Sequence, residues 1–240
     1  MAYHGGYERS APYYDVFDSK PNIAFFLSRV CPGSIVADVG AGTGRITLPL
    51  ASLASHVYAI EPSPAMSAIL ERNVAQCDNV TVIASDAQSF SLPKQCDVTV
   101  LSGVYDHFLN DDERKASLSA IYECLKPGGI LLMDAYIGSD ASSPQRLVDE
   151  CHDGPMTYLR YIGRSADDGV VNVSLRYEAY RDGMLVSSVS ERSPVSVSTP
   201  EGVRKMLGHT GFCIEHIWCD YAGTPFEDGS DTLVVKARRR

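Results

Sequence analysis

Asp38-Val39-Gly40-Ala41-Gly42-Thr43-Gly44-Arg45 is the stretch on which the fold turns. It begins inside Ser34-Ile35-Val36-Ala37-Asp38-Val39, a short apolar run stopped by glycines, which reads as a buried parallel strand. Glycines at a strand-to-helix switch let the backbone approach a ligand and take positive φ without a Cβ clash. Three readings of this loop compete. A phosphate-binding P-loop requires Gly-Lys-Ser/Thr after a longer gap, and that is absent. A dinucleotide fingerprint requires glycine at 40, 42 and 45, but position 45 is Arg45 and the glycine falls at Gly44. The motif is therefore G-x-G-x-G, which weakens a pyrophosphate ligand. In the third reading Asp38, two residues before Gly40, helps to hold a cation.

Working outward, His56–Ile60, Val80–Ala84, Asp97–Ser102 and Ile130–Tyr136 are further apolar strand candidates. Helical patterns separate them: Arg45 to Ala54, bent or shortened by Pro49; a helix carrying Met66, Ile69, Leu70 and Val74 on one side; and Asp111 to Leu125, ended by Lys126-Pro127-Gly128-Gly129. Strands and helices in this rhythm predict an α/β fold with a parallel sheet and right-handed crossovers. The second half changes character. Val171, Val173, Leu175, Tyr177 and Ala179 alternate with polar residues, Arg181-Asp182-Gly183 turns the chain, and Met184 to about Val197 returns. A helix from Pro200 to about Thr210 and two strands, Cys213–Asp220 and Thr232–Ala237, finish the main sheet.

The chain has 240 residues, 45% hydrophobic and 21% charged, which fits one globular domain with an embellishment. With 21 Lys+Arg against 30 Asp+Glu the net charge is −9, and no basic stripe offsets it, so a nucleic-acid partner is disfavoured. The run Arg238-Arg239-Arg240 reads as a solvated tail. No stretch of about 18 apolar residues spans a membrane, and Met1–Gly6 lacks the character of a signal peptide. Seven scattered cysteines, never spaced C-x-x-C, suggest reduced thiols and a cytoplasmic protein. Cys213, His216 and Cys219 spell C-x-x-H-x-x-C, but on a strand His216 points away from the two thiols, so no metal is expected.

Two acids stand at strand ends. Glu61, in Glu61-Pro62-Ser63, ends the second strand, where a carboxylate suits the two hydroxyls of a ribose. Asp86, in Asp86-Ala87, follows the third and suits an adenine amino group. Together with Asp38–Arg45 and Leu125-Lys126-Pro127-Gly128-Gly129, these blocks resemble the class I S-adenosylmethionine-dependent methyltransferases, over roughly residues 34 to 136 motif by motif. Closer still, the chain looks like bacterial small-molecule methyltransferases, including sugar N-methyltransferases and glycine N-methyltransferase-like enzymes.

The resemblance implies a Rossmann-like seven-stranded sheet, mostly parallel with an antiparallel last strand, plus a small antiparallel β insert. It implies S-adenosylmethionine as methyl donor, with S-adenosylhomocysteine as product. Asp38, Gly40, Ala41 and Gly42 would form the donor loop, Glu61 would hold the ribose, and Asp86 with the Ala87 backbone the adenine. Pro62 and Met66 would flank the adenine face, Ser102 and Gly103 would lie by the methionine, and Tyr14 would close the site. The expected organisation is an N-terminal helical lid over residues 1–33, a donor-binding domain over 34–156 and 198–240, and the insert over 157–197. That insert would roof the acceptor or contact a second subunit, in a monomer or homodimer, with Arg160, Arg176 and Tyr177 as candidates to meet a polar acceptor.

The residues after the fourth strand, Ser102 to Phe108, face the acceptor in such a sheet. His107, whose charge can switch near neutral pH, is the candidate for acid–base or orienting work, with Tyr105 and Tyr14 as positioning candidates. The expected reaction moves a methyl group to nitrogen or oxygen of a small molecule. Two other classes stay open: a nucleotide-binding oxidoreductase, and a non-catalytic scaffold that binds the donor.

Overall fold

The computed structural model describes residues 4–5, 7–17, 21–167 and 170–240. Of the expected lid segment, residues 1–3, 6 and 18–20 lie outside the described residues. The first half runs α1 (Pro21–Leu27), β1 (Ile35–Val39), α2 (Thr47–Ala51), β2 (His56–Ile60), α3 (Pro64–Asn73), β3 (Val80–Ile83), β4 (Cys96–Leu101), α4 (Asp111–Cys124) and β5 (Leu125–Tyr136). Four antiparallel strands follow: β6 (Ser143–Asp153), β7 (Met156–Asp167), β8 (Val170–Arg181) and β9 (Met184–Ser196). The chain ends with α5 (Pro200–His209), β10 (Phe212–Trp218) and β11 (Thr232–Arg239).

The main sheet has the order β10-β11-β5-β4-β1-β2-β3, with β11 antiparallel to both neighbours. The order reverses between β1 and β4, the switch point at which open α/β sheets bind ligands. Register sharpens this. Val39, Ile60 and Ile83 sit side by side, so the loops after β1, β2 and β3 leave the sheet at one edge.

Alternation along the strands makes two cores. Val36, Val57, Val100 and Leu132 face Phe26 of α1 and Leu50 of α2, while Val39, Ile60, Leu101 and Met133 face Leu118 of α4 and Leu207 of α5. All are essentially inaccessible, at about 1.5–3 kcal/mol of apolar transfer for each large side chain. Proline shapes both helices flanking the site. The five-residue α2 carries Pro49 in its first turn. Pro64 opens α3, where Ser63 caps the Met66 N–H.

Two sequence expectations need correction. The antiparallel insert starts at Ser143, not 157, because β6 belongs to it. That strand is exposed along nearly its whole length, so it carries no alternating apolar signal. The terminal arginines are not a free tail. Arg238 and Arg239 lie within β11, Arg238 pairs with Glu215, and Arg239 stacks on Tyr122 while donating to the Leu125 carbonyl at 2.5 Å.

Candidate functional site

A cleft opens at the switch point. Its floor is the loop after β1. Gly40 has φ +75°, and a Cβ there would meet Val104 Cγ2 at 2.2 Å, so only glycine fits. Gly44 has φ +92° and receives Leu70 Cδ1 of α3, which a Cβ would meet at 2.7 Å. Gly44 thus serves the helix-packing purpose that a third glycine at 45 serves in a dinucleotide loop.

Four of the loop's N–H groups are spent inside the protein. Gly40 and Ala41 donate to the Ile60 carbonyl at 2.8 and 2.9 Å, Gly42 to Glu61 Oε2 at 2.8 Å, and Gly44 to the Ala41 carbonyl at 2.9 Å. A pyrophosphate site needs such groups free to face the anion, so this loop does not fit one.

Glu61 is 6% exposed, and its second oxygen accepts the Ser63 N–H at 2.8 Å. Burial raises its carboxyl above the usual range, the two N–H bonds oppose that, and Asp38 and Glu8 add repulsion. Each oxygen accepts one N–H bond and retains further lone-pair capacity, which suits a pair of vicinal hydroxyls. At the far wall Asp86 Oδ1 accepts from the Gln88 N–H at 3.0 Å and the Ser89 hydroxyl at 2.8 Å. Pro62, Met66 and Ala87 supply apolar wall between the two acids.

The open side is covered by residues 7–17. Tyr14 lies over the loop, its Cε1 at 3.9 Å from where a Gly42 Cβ would stand, with the Arg45 guanidinium 4.5 Å from its ring centre. Tyr7 packs edge-on against Tyr14 and His107, and its hydroxyl meets His107 Nε2 at 3.1 Å. Burial pushes the His107 imidazole below its ordinary value, with the Pro194 carbonyl opposing and His4 adding to the effect. The insert holds this cover down. Glu191 accepts the N–H groups of Arg9 at 2.5 Å and Ser10 at 2.9 Å, Tyr13 donates to Ser187 Oγ at 2.5 Å, and the Tyr13 ring stacks on Tyr177.

Ten expected donor-site residues therefore line one cleft: Tyr14, Gly40, Gly42, Glu61, Pro62, Met66, Asp86, Ala87, Ser102 and Gly103, together with His107. Three candidates do not. Asp38 is 2% exposed and accepts the Thr47 hydroxyl at 2.6 Å, because its side chain leaves β1 on the α2 face. Burial raises its carboxyl to about 6, and it does not line the cleft. Ala41 packs among Ala59, Leu70 and Val74. Tyr105 is 1% exposed in the core, burial lifting its phenol to about 12, and it does not line the cleft. The insert candidates are committed elsewhere: Arg160 to Asp149, Arg176 to Glu178, and Tyr177 to Tyr13 and Phe17.

Residues the sequence reading missed are Tyr7 in the wall, Glu191 in the insert strand that holds the cover, and Asp134 beneath the turn after β4. Asp134 had a legible signal: it is the one acid in the apolar run Ile130–Ala135.

Residues 36–129 match a methyltransferase-domain family. An uncharacterized methyltransferase of Geobacillus is 28% identical over 154 residues, 64% of this chain and 70% of that protein. A probable cobalt-precorrin-6B C(15)-methyltransferase (decarboxylating) of Methanothermobacter thermautotrophicus is 32% identical over 146 residues, 58% of this chain and 73% of that protein. A probable tRNA methyltransferase 9B of mouse is 32% identical over 134 residues, 54% of this chain but only 28% of that protein. Among solved structures, an S-adenosylmethionine-dependent methyltransferase of Clostridium acetobutylicum superposes with a TM-score of 0.82 at 17% identity, covering 96% of this chain and 97% of the other. A sugar N-methyltransferase of Streptoalloteichus does so with 0.76 at 21% identity, covering 97% and 94%. The chain belongs to the class I S-adenosylmethionine-dependent methyltransferases. Among the described residues no helix is long and apolar enough to cross a membrane.

Proposed function

We propose that this methyltransferase transfers the methyl group to a nitrogen or oxygen of a small-molecule acceptor. The observation that carries the reading is the cover: residues 7–17, tied to the insert through Glu191, close the cleft on the side where His107 stands. Such a roof suits a compact acceptor more than a polymer, and the −9 charge repels polyanions. In this reading Glu61 grips the ribose, Asp86 and the Ala87 backbone meet the adenine, and Ser102 and Gly103 lie at the methionine end.

The bound donor supplies an electrophilic methyl on a sulfonium, displaced in line by the acceptor. The protein's share is alignment and exclusion of water. Tyr14 and Tyr7 close the cleft, and the Tyr7 hydroxyl takes a proton from the incoming nucleophile while passing its own to Nε2 of a neutral His107, whose other ring nitrogen faces the Pro194 carbonyl.

The test is transfer of labelled methyl from S-adenosylmethionine to a panel of amino sugars, small amines and phenols, with bulk tRNA in parallel. Label in a small molecule supports the reading. Label in tRNA alone overturns it.

A further inference from the structure

Asp134 stands in the middle of β5, 5% exposed, in a run that is otherwise apolar. A carboxylate at that depth is costly unless donors converge on it, and three do. Oδ1 accepts the Gly103 N–H at 2.6 Å, while Oδ2 accepts the Ser102 hydroxyl at 2.6 Å and the Tyr221 phenol at 2.8 Å. Ser102 in turn accepts from Asn22 Nδ2 of α1 at 3.0 Å. Tyr221 reaches Asp134 from the segment after β10 and is seated edge-on against Phe25 and Phe26, ring centres 5.9 and 6.1 Å away. One buried carboxyl group thus gathers three separate parts of the chain beneath the turn after β4.

That turn lines the cleft, and Asp134 does not. Gly103 is held at φ +66°, a conformation in which its N–H points down to the carboxylate. With the Gly103 N–H and the Ser102 hydroxyl consumed below, the turn's remaining polar groups include its carbonyl oxygens, which match a cationic partner. The geometry points to Asp134 as a positioning residue that sets the turn after β4 to receive the ammonium-bearing, amino-acid end of the methyl donor. The inference rests on the reading that places the methionine end at Ser102 and Gly103. It separates two halves of one site: Glu61 and Asp86 serve the nucleoside, and Asp134 acts through Ser102 and Gly103 on the other end.

Two ligands divide those halves. S-adenosylhomocysteine carries the amino-acid end; 5′-methylthioadenosine is the same nucleoside without it. Both are titrated calorimetrically into wild type, Asp134→Asn and Tyr221→Phe. Asp134→Asn keeps the shape but loses the charge and one acceptor. We expect it to weaken S-adenosylhomocysteine by roughly tenfold or more and to leave 5′-methylthioadenosine within about twofold. Tyr221→Phe removes one hydroxyl, and should give a smaller loss, roughly threefold, again on S-adenosylhomocysteine alone. A residue that merely supported the fold would lower both affinities together, and that result overturns the inference, as does an unchanged pair. Should Asp134→Asn not fold, Tyr221→Phe decides by the same comparison. Wild type that binds 5′-methylthioadenosine but not S-adenosylhomocysteine refutes the inference alone. Wild type that binds neither refutes the donor-site reading as well.

Discussion

The Gly42 N–H donates to Glu61 Oε2 at 2.8 Å, so the loop after β1 and the acid after β2 form one rigid piece. With the Ser63 N–H on Oε1, the carboxylate is oriented before any ligand arrives. Glu61→Ala should therefore weaken S-adenosylhomocysteine by about 2 kcal/mol or more, near thirtyfold, read by calorimetry. Unlike Asp134→Asn, it should weaken 5′-methylthioadenosine as well. An isotherm matching wild type would refute the assignment.

His107 sits in the cleft wall with its imidazole depressed by burial, so it is neutral at pH 7. His107→Gln should lower turnover by roughly 10²-fold, the low end for a lost proton-transfer group, while donor affinity stays near wild type. The pH profile gives the sign. Protonation removes the accepting nitrogen, so activity falls on the acid side, with a midpoint below the ordinary histidine value of about 6.5. A midpoint above pH 7, or loss of donor affinity in place of turnover, would move His107 out of this role.

Asp38 carries a stability prediction. Its folded carboxyl is raised from 3.8 to about 6 by burial, so the folded state holds the proton more tightly than the unfolded chain. The stability this contributes is full below 3.8, falls as pH rises, and is gone above about 6. Asp38→Asn keeps an acceptor for Thr47 without the charge. The variant should be more stable than wild type at pH 8 by about 2–3 kcal/mol and nearly equal to it at about pH 4, measured by urea unfolding. A gain of the same size at both pH values would show that the cause is not ionisation.

Glu191 ties the cover to the insert through Arg9 and Ser10. Glu191→Ala leaves two N–H groups without that acceptor, at a cost of about 1–3 kcal/mol. Trypsin should then cut after Arg9 several-fold faster, with turnover reduced and S-adenosylhomocysteine slowing the cut. Unchanged cleavage would mean that the cover is held by its tyrosines alone.

Much of the cleft rim was legible in the chain because it is built from strand ends. A strand that must be apolar on both faces announces itself, and the residue just beyond it lands at the sheet edge whatever else the protein does. Gly40, Glu61, Asp86 and Ser102 follow from that rule. Asp38 shows where it stops: an acid inside the strand points to one face or the other, and only packing against α2 decided which. Tyr105 and His107 lie two residues apart in one turn, yet one is core and the other lines the cleft. No period in so short a segment distinguishes them.

The sequence alone determined the order of strands and helices from β1 to β5, the glycine bend and the acids that rim it, because local sterics and burial act over a few residues. Tertiary structure decided the rest: that β6 joins the insert, that Glu191 reaches 181 residues back to Ser10, and that Asp134 and Tyr221 meet beneath the Ser102–Gly103 turn. Those contacts join segments far apart in the chain, and a polar side chain does not reveal its distant partner until the apolar layers between them have packed.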